Sequence, residues 1–196
     1  MAKRIEFFYD IGSPYSYLAA TQIEAVAARA GGAVEWRPFL LGGVFKATGN
    51  TSSAGLALKA RYMFADLTRW AQQYGVPFQM PSRFPLNTLR PMRACIFGSQ
   101  RGLCGELALA LYRGYWVDDV DITGDDGLRA AARSAGLDAG AVLAACEEPA
   151  VKDALRSATE EAVRRGAFGA PTFFVGDEMF WGNDRLHFVE AALRRP

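Results

Sequence analysis

Apolar residues form short runs near both ends of the chain and recur at helical spacing through its middle. The run over residues 5–9 predicts a buried strand, and the helical spacing that begins at Tyr15 predicts a helix over residues 14–29, ended by glycines. A second strand over residues 34–37 stops at Pro38. A strand, a helix and a strand in this order indicate a parallel pair joined by a right-handed crossover.

The middle of the chain, from residue 54 to about residue 165, has almost no strand signals. A polar stretch over residues 46–53 lacks periodicity and predicts a loop. Helices are then predicted over residues 55–74, 87–97, 104–115, 125–135, 139–146 and 150–165. We interpret the aromatic stripe of the first of these as core.

Residues 166–196 return to strand patterns. Strands over residues 172–175 and 179–181, separated by a turn over 176–178, predict a β-hairpin, and a final helix through Leu193 would be capped by Asn183 or Asp184. The full order of elements is that of an α/β chain with a thioredoxin-like fold and an inserted all-helical domain. We assign residues 1–45 and 166–196 to the discontinuous thioredoxin-like domain and residues 46–165 to the insertion.

The turn between the first strand and the first helix is the strongest candidate site. Ser13 stands at a helix N-cap position, and Pro14 stands at the first helical position, which needs no N–H donor. A strand that feeds a capped helix brings unsatisfied N–H groups to one point, which favours a phosphate, carboxylate or thiolate. The alternative is that Ser13 only caps the helix.

Composition excludes several partners. In 196 residues, 22 Lys and Arg against 21 Asp and Glu give a net charge of +1, so no broad basic surface for nucleic acid is predicted. No stretch approaches the roughly 18 continuous apolar residues of a membrane span. With no signal-peptide core after Met1, we expect a cytoplasmic protein with neither membrane nor nucleic-acid partners.

The residues that usually hold metals or attack substrates are sparse. Cys95, Cys104 and Cys146 show no C-x-x-C or Cys/His ligand spacing, so buried reduced thiols and no metal site are predicted. The single histidine, His187, falls in the last predicted helix, and no G-x-S-x-G motif is present, which disfavours a serine hydrolase at Ser13.

Five short motifs span nearly the whole chain. They are Phe8-Tyr9-Asp10; Ser13-Pro14-Tyr15-Ser16-Tyr17-Leu18; Leu41-Gly42-Gly43-Val44-Phe45-Lys46 with Gly49-Asn50; Phe168-Gly169-Ala170-Pro171-Thr172; and Phe180-Trp181-Gly182-Asn183-Asp184-Arg185-Leu186. Together they resemble the 2-hydroxychromene-2-carboxylate isomerases and their relatives, the kappa-class glutathione transferases, within the thioredoxin superfamily. The resemblance implies a cis peptide bond before Pro171. Disulfide oxidoreductases of this fold carry C-x-x-C where this chain has Ser13-Pro14-Tyr15-Ser16, so dithiol chemistry is eliminated.

The resemblance also implies glutathione as a cofactor. Ser13 would donate a hydrogen bond to the glutathione thiolate, and the backbone of Ala170 would pair with the cysteinyl unit. The γ-glutamyl end would lie at the start of the last helix, with Asp184 taking the amino group, and Asn50 would hold the other end. The implied glutathione-binding residues are Ser13, Asn50, Ala170, Pro171, Trp181, Gly182, Asn183 and Asp184. Ordinary helix capping is the alternative for Asn183 and Asp184.

The family's isomerase reaction acts on an aromatic carboxylate. It interconverts a cyclic hemiketal carboxylate and an open o-hydroxybenzylidenepyruvate, and thiolate addition to the conjugated double bond allows rotation. Lys46 is a candidate for the substrate carboxylate, with a solvated loop charge as its alternative. Phe84 stands where some isomerases place a substrate-contacting tyrosine, which favours an altered substrate.

Two other functions stay open. A kappa-class transferase would use the same Ser13 and the same thiolate but would consume glutathione. A non-catalytic thioredoxin-like module would instead bind extended peptides beside Pro171. The resemblance also implies a homodimer.

Overall fold

A four-stranded sheet joins the N-terminal and C-terminal parts of the chain in the computed structural model, which describes residues 3–52 and 55–195. The strands are β1 (Arg4–Tyr9), β2 (Ala33–Pro38), β3 (Thr172–Val175) and β4 (Glu178–Trp181), in the sheet order β2-β1-β3-β4. β1 pairs with β2 in parallel and with β3 antiparallel, and β4 completes the hairpin. The predicted parallel pair and hairpin are confirmed.

Helices cover the sheet and form the insertion. They are α1 (Pro14–Ala20), α2 (Ile23–Arg29), α3 (Leu41–Thr48), α4 (Ala57–Tyr74), α5 (Leu89–Gln100), α6 (Cys104–Trp116), α7 (Asp125–Ser134), α8 (Ala139–Ala145), α9 (Pro149–Arg164) and α10 (Leu186–Arg194). A 3₁₀ turn, Asn183–Arg185, precedes α10. Within the described residues, no helix is both long and apolar enough to cross a membrane.

Three local predictions were wrong. The helix predicted over residues 14–29 is broken at Thr21, whose hydroxyl donates to the Leu18 carbonyl at 2.7 Å and competes with the helical pattern. Residues 46–48 belong to α3 rather than to a loop, so the proposed domain boundary after residue 45 falls inside a helix. The side chains of Asn183 and Asp184 do not cap α10, because both residues lie in the 3₁₀ turn before it.

The core extends from the sheet into the insertion. Phe7 and Tyr9 lie on one face of β1 in a cluster that includes Trp116 of α6, whereas Phe8 lies on the other face against Phe39. A central strand buried on both faces is apolar at nearly every position, which explains residues 5–9, where Glu6 is the one charged residue. Because the same cluster holds sheet and insertion together, the insertion contributes directly to the position of the turn that follows β1.

An ion pair on β1 is expected to make stability depend on acidity. Burial would raise the pKa of Glu6, but two hydrogen bonds and the charge of Arg165, aided by Arg37, outweigh burial and hold it below its ordinary value. Stability from Glu6 is therefore present above the unfolded pKa and lost as pH falls through the lowered folded pKa. We expect Glu6→Gln to unfold more easily at pH 7, by about 1–2 kcal/mol, and to lose less stability on acidification.

Urea unfolding at several pH values between about 3 and 7 tests this expectation. The control is Glu178→Gln, because the ion pair of Glu178 with Arg195 is exposed and contributes little. Equal acid sensitivity of the parent and Glu6→Gln would contradict the expectation.

Candidate functional site

A cavity of about 600 Å³ opens where β1 ends. It lies between the turn before α1, the segment before β3, the 3₁₀ turn, and α3 and α4. Of the residues predicted from the sequence, it is lined by Ser13, Asn50, Phe84, Ala170, Trp181, Gly182, Asn183 and Asp184. The fold therefore gathers residues from four distant parts of the chain at one place.

Ser13 occupies the predicted N-cap of α1 and also contacts the segment before β3. Its hydroxyl accepts a hydrogen bond from the Ser16 N–H and donates to the Ala170 carbonyl, both at 3.1 Å. The side chain is buried, with 4% exposure, yet it lines the cavity. Ser13 therefore both caps α1 and lines the candidate site.

The backbone around Pro171 links Ser13 to the last strand. The Ala170–Pro171 peptide bond is cis, and the Pro171 carbonyl accepts the Gly182 N–H at 3.0 Å. Pro171 itself is buried and shapes the wall through these backbone contacts. This arrangement brings Ser13, Ala170 and the 3₁₀ turn together.

Asp10, at the end of β1, organises the floor of the cavity. One carboxylate oxygen accepts the Gly12 N–H at 2.9 Å, and the other accepts the Leu41 N–H at 2.8 Å. Burial raises the pKa of Asp10, against the effect of these two bonds and of one from the Thr88 side chain. The buried carboxylate therefore holds the turn before Ser13 and the start of α3 in a fixed relation.

The 3₁₀ turn presents paired charges to the cavity. Asp184 forms an ion pair with Arg185, and both side chains are about half exposed. Gly182 has φ +102°, and a Cβ there would lie 2.5 Å from an Asp184 carboxylate oxygen. Asn183 is buried, and its carbonyl accepts the Tyr74 hydroxyl at 3.1 Å. A larger residue at position 182 would therefore strain the backbone and displace the Asp184 carboxylate.

Asn50 and Phe84 lie at the sides of the cavity. The Asn50 amide donates to the Phe168 carbonyl at 2.8 Å and ties the end of α3 to the segment before β3. Phe84 precedes a cis peptide bond to Pro85 and packs 5.8 Å from the Trp116 ring. It therefore presents an apolar ring, held by the core, where a tyrosine would offer a hydroxyl.

Lys46 does not reach this cavity. Leu41 and Phe45 of α3 line the Ser13 cavity, whereas Lys46 lines a different one, with Gly43, on another face of the helix. Helical spacing explains the separation, because residues one apart point about 100° away from each other. The structure gives no support for Lys46 as a substrate ligand.

Comparison with known proteins agrees with this geometry. Residues 4–194 match the DsbA-like thioredoxin domain. A 2-hydroxychromene-2-carboxylate isomerase from Sphingobium xenophagum is 36% identical over 195 residues, covering 98% of this chain and 99% of the relative. The chain belongs to the 2-hydroxychromene-2-carboxylate isomerase family.

Two further comparisons extend this family assignment. A solved structure of a 2-hydroxychromene-2-carboxylate isomerase has a TM-score of 0.89 at 29% identity and covers 97% of this chain and 94% of that chain. Glutathione S-transferase kappa 2 from Caenorhabditis elegans is 28% identical over 209 residues, covering 99% of this chain and 93% of the relative. The full-length isomerase relatives support an isomerase enzyme with the expected thioredoxin-like fold.

Several cavity residues were not assigned from the sequence. The Tyr15 hydroxyl donates to Asp66 of α4 at 2.9 Å, and Trp70 and Arg185 also line the cavity. Burial, aided by Asp66, raises the pKa of Tyr15 well above its ordinary value, so this hydroxyl stays protonated. The aromatic stripe of α4 had been interpreted as core, but Trp70 shows that part of it forms the wall of the site.

Among the described residues, no cysteine lines the cavity, so the chain offers no thiol of its own there. Cys95, Cys104 and Cys146 are free and buried, and none lines the cavity. Burial raises the pKa of each of these thiols. In the part of the chain that the structure describes, no group of three or more His, Cys, Asp and Glu residues is placed to hold a metal ion.

Proposed function

We propose that this protein is a glutathione-dependent cis–trans isomerase that acts on 2-hydroxychromene-2-carboxylate. The observation that carries the proposal is the contact between Ser13 and Ala170 in a cavity that the chain's own cysteines do not line. A thioredoxin-like site of this kind has a hydroxyl and a backbone edge where a sulfur ligand can bind, and the sulfur must come from the ligand. The names of the isomerase relatives agree with the proposed reaction, and the names of the kappa-class relatives agree with glutathione as the sulfur ligand.

The Ser13 hydroxyl has a single proton, and it is donated to the Ala170 carbonyl. Donation to a thiolate would require that proton to turn away from Ala170. The Ala170 carbonyl would then be available to accept the N–H of the glutathione cysteinyl unit, in the manner of an added strand. After this change of partners, the Ser13 hydroxyl and the Ala170 carbonyl would each still have a hydrogen-bond partner. These two groups therefore fit a peptide that carries a thiol.

The charges of the 3₁₀ turn fit the γ-glutamyl end of glutathione. That end carries both an ammonium and a carboxylate on one carbon. Asp184 and Arg185 present one charge of each sign to the cavity. We therefore propose that Asp184 binds the ammonium and Arg185 the carboxylate, and that Asn50 and Trp181 border the rest of the peptide.

The aromatic part of the cavity fits an aromatic substrate. Tyr15 of α1, Trp70 of α4 and Phe84 of the link between α4 and α5 line the same space. Bound glutathione would supply a thiolate that adds to the conjugated double bond and departs after rotation about the resulting single bond. Ser13 would lower the pKa of that thiol, because a hydrogen bond to the thiolate favours the charged form. The Tyr15 hydroxyl stays neutral and donates its one proton to Asp66 at the edge of this space.

Glutathione stoichiometry tests the proposal and separates it from the transferase alternative, which the 28% identity to kappa-class relatives keeps open. The purified protein is mixed with 2-hydroxychromene-2-carboxylate, with and without glutathione. We expect conversion to trans-o-hydroxybenzylidenepyruvate only when glutathione is present, with free thiol unchanged after many turnovers. Equimolar loss of thiol would support a transferase, and conversion without glutathione would overturn the cofactor assignment.

The peptide-binding module, the homodimer and the cytoplasmic location stay predictions from the sequence. A peptide-binding module would bind peptides but not glutathione. Glutathione binding measured by calorimetry would therefore argue against the module, and absence of glutathione binding would favour it.

A further inference from the structure

A second cavity, of about 690 Å³, is bounded by α3, α5 and α9. Gly43, Lys46 and Ala47 of α3 line it, whereas the Ser13 cavity is lined by Leu41 and Phe45 of the same helix. The two cavities therefore lie on different faces of α3. The proposed isomerase mechanism uses none of the residues of this second cavity.

The second cavity concentrates positive charge. Its lining contains one acid, Glu160, and five cations: Lys46, Arg93, Lys152, Arg156 and Arg164. Lys152 is paired with Glu147 and Arg156 with Asp153. For the other three cations, no ion pair is found within residues 3–52 and 55–195. Such a local excess stands out in a chain with a net charge of +1.

The three unpaired cations come from three helices, and the space between them has apolar walls. Leu40, Leu89, Leu155 and Val163 contribute aliphatic side chains. Arg93 donates from Nη1 to the Cys146 carbonyl at 3.3 Å, but its Nε is buried without an acceptor among the described residues. Cationic side chains from three helices thus border a space whose other walls are largely aliphatic.

We infer that the second cavity binds an organic acid, a carboxylate attached to an apolar body. The cations would hold the carboxylate, and the aliphatic walls would bury the body. An inorganic anion would leave those walls unused. A second copy of this chain is disfavoured, because a two-fold contact over this surface would oppose the same cations.

Calorimetric titration with 4-phenylbutyrate tests the inference. We expect binding to the parent and weaker binding of the uncharged 4-phenylbutanol. The double variant Lys46→Glu/Arg164→Glu should bind 4-phenylbutyrate about tenfold more weakly or worse, since two attractive charges become repulsive. The matched control is Arg133→Glu, a charge reversal at an exposed α7 residue that lines neither cavity, and it should bind as the parent does.

Two further variants identify the cavity that is occupied. Ala47→Trp changes an exposed α3 residue and should block the second cavity, whereas Trp181→Ala alters the Ser13 cavity and should leave 4-phenylbutyrate binding unchanged. Absence of binding to the parent would overturn the inference. So would equal weakening by Arg133→Glu, or loss of binding in Trp181→Ala with retention in Ala47→Trp. None of these outcomes depends on the isomerase proposal.

Discussion

Ser13→Ala is expected to lower the isomerase kcat/KM by about 10- to 100-fold at pH 7, because a hydrogen bond to a charged group contributes about 1.5–3 kcal/mol. Without the hydroxyl, the thiolate of bound glutathione loses a donor, and the thiol pKa should rise by about one unit or more. The acid limb of the pH–rate profile should therefore move to higher pH. Activity and the ultraviolet absorbance of bound thiolate, each measured against pH, check both effects.

Ser16→Ala is the matched control for this change. Ser16 lies in the same helix and is buried, but it does not line the cavity. We expect Ser16→Ala to keep the parent's activity and thiol pKa. Ser13→Ala also removes an N-cap worth about 1 kcal/mol, so both variants must be assayed well below their unfolding temperatures. If the thiol pKa of bound glutathione were the same in Ser13→Ala and the parent, Ser13 would act only as a helix cap.

Asp10→Asn is expected to reduce both stability and glutathione affinity. The carboxylate accepts N–H groups from Gly12 and Leu41 on its two oxygens. An amide has only one oxygen, so its NH₂ group must face one of these donors in a buried site. We expect a loss of about 1–3 kcal/mol in the free energy of unfolding, and weaker glutathione binding because the turn before Ser13 loosens.

Urea unfolding and glutathione calorimetry measure these two effects. Asp138→Asn provides the control, because Asp138 caps α8 through a single bond from Ala141 and asparagine caps helices equally well. It should change neither quantity appreciably. If Asp10→Asn lowered stability but left glutathione affinity intact, Asp10 would support the fold without positioning the site.

Much of the site could be predicted from the sequence because its motifs are local. Ser13-Pro14 carries a helix start in two residues, and the apolar run before Asp10 marks a central strand. The resemblance then placed Ala170, Asn183 and Asp184 at the same cavity, and the structure brings all of them there. Arg185 lay within a quoted motif, and a charge next to Asp184 was the signal that could have found it.

The failures at α3, Lys46 and Trp70 came from contacts between distant parts of the chain, whereas the helix break at Thr21 follows from a local hydrogen bond. Residues 41–48 show no helical periodicity and include two glycines, so the sequence did not predict α3. The helix begins where distant side chains accept backbone N–H groups: Asp10 accepts the Leu41 N–H, and Thr159 accepts the Leu40 N–H. The position of Lys46 follows from that helix and could not be known without it. Trp70 fits an apolar stripe equally well whether its neighbour is core or cavity.

The sequence by itself therefore determined the elements whose signals are encoded within a few residues: the β1 strand, the capped start of α1, the terminal hairpin and the absence of a C-x-x-C pair. Tertiary structure decided which side chains share a cavity, because that depends on packing between residues more than a hundred positions apart. The Ser13–Ala170 hydrogen bond, which spans 157 positions, is the clearest case. Local pattern predicts each partner's conformation, and only the packed fold brings the two partners within hydrogen-bonding distance.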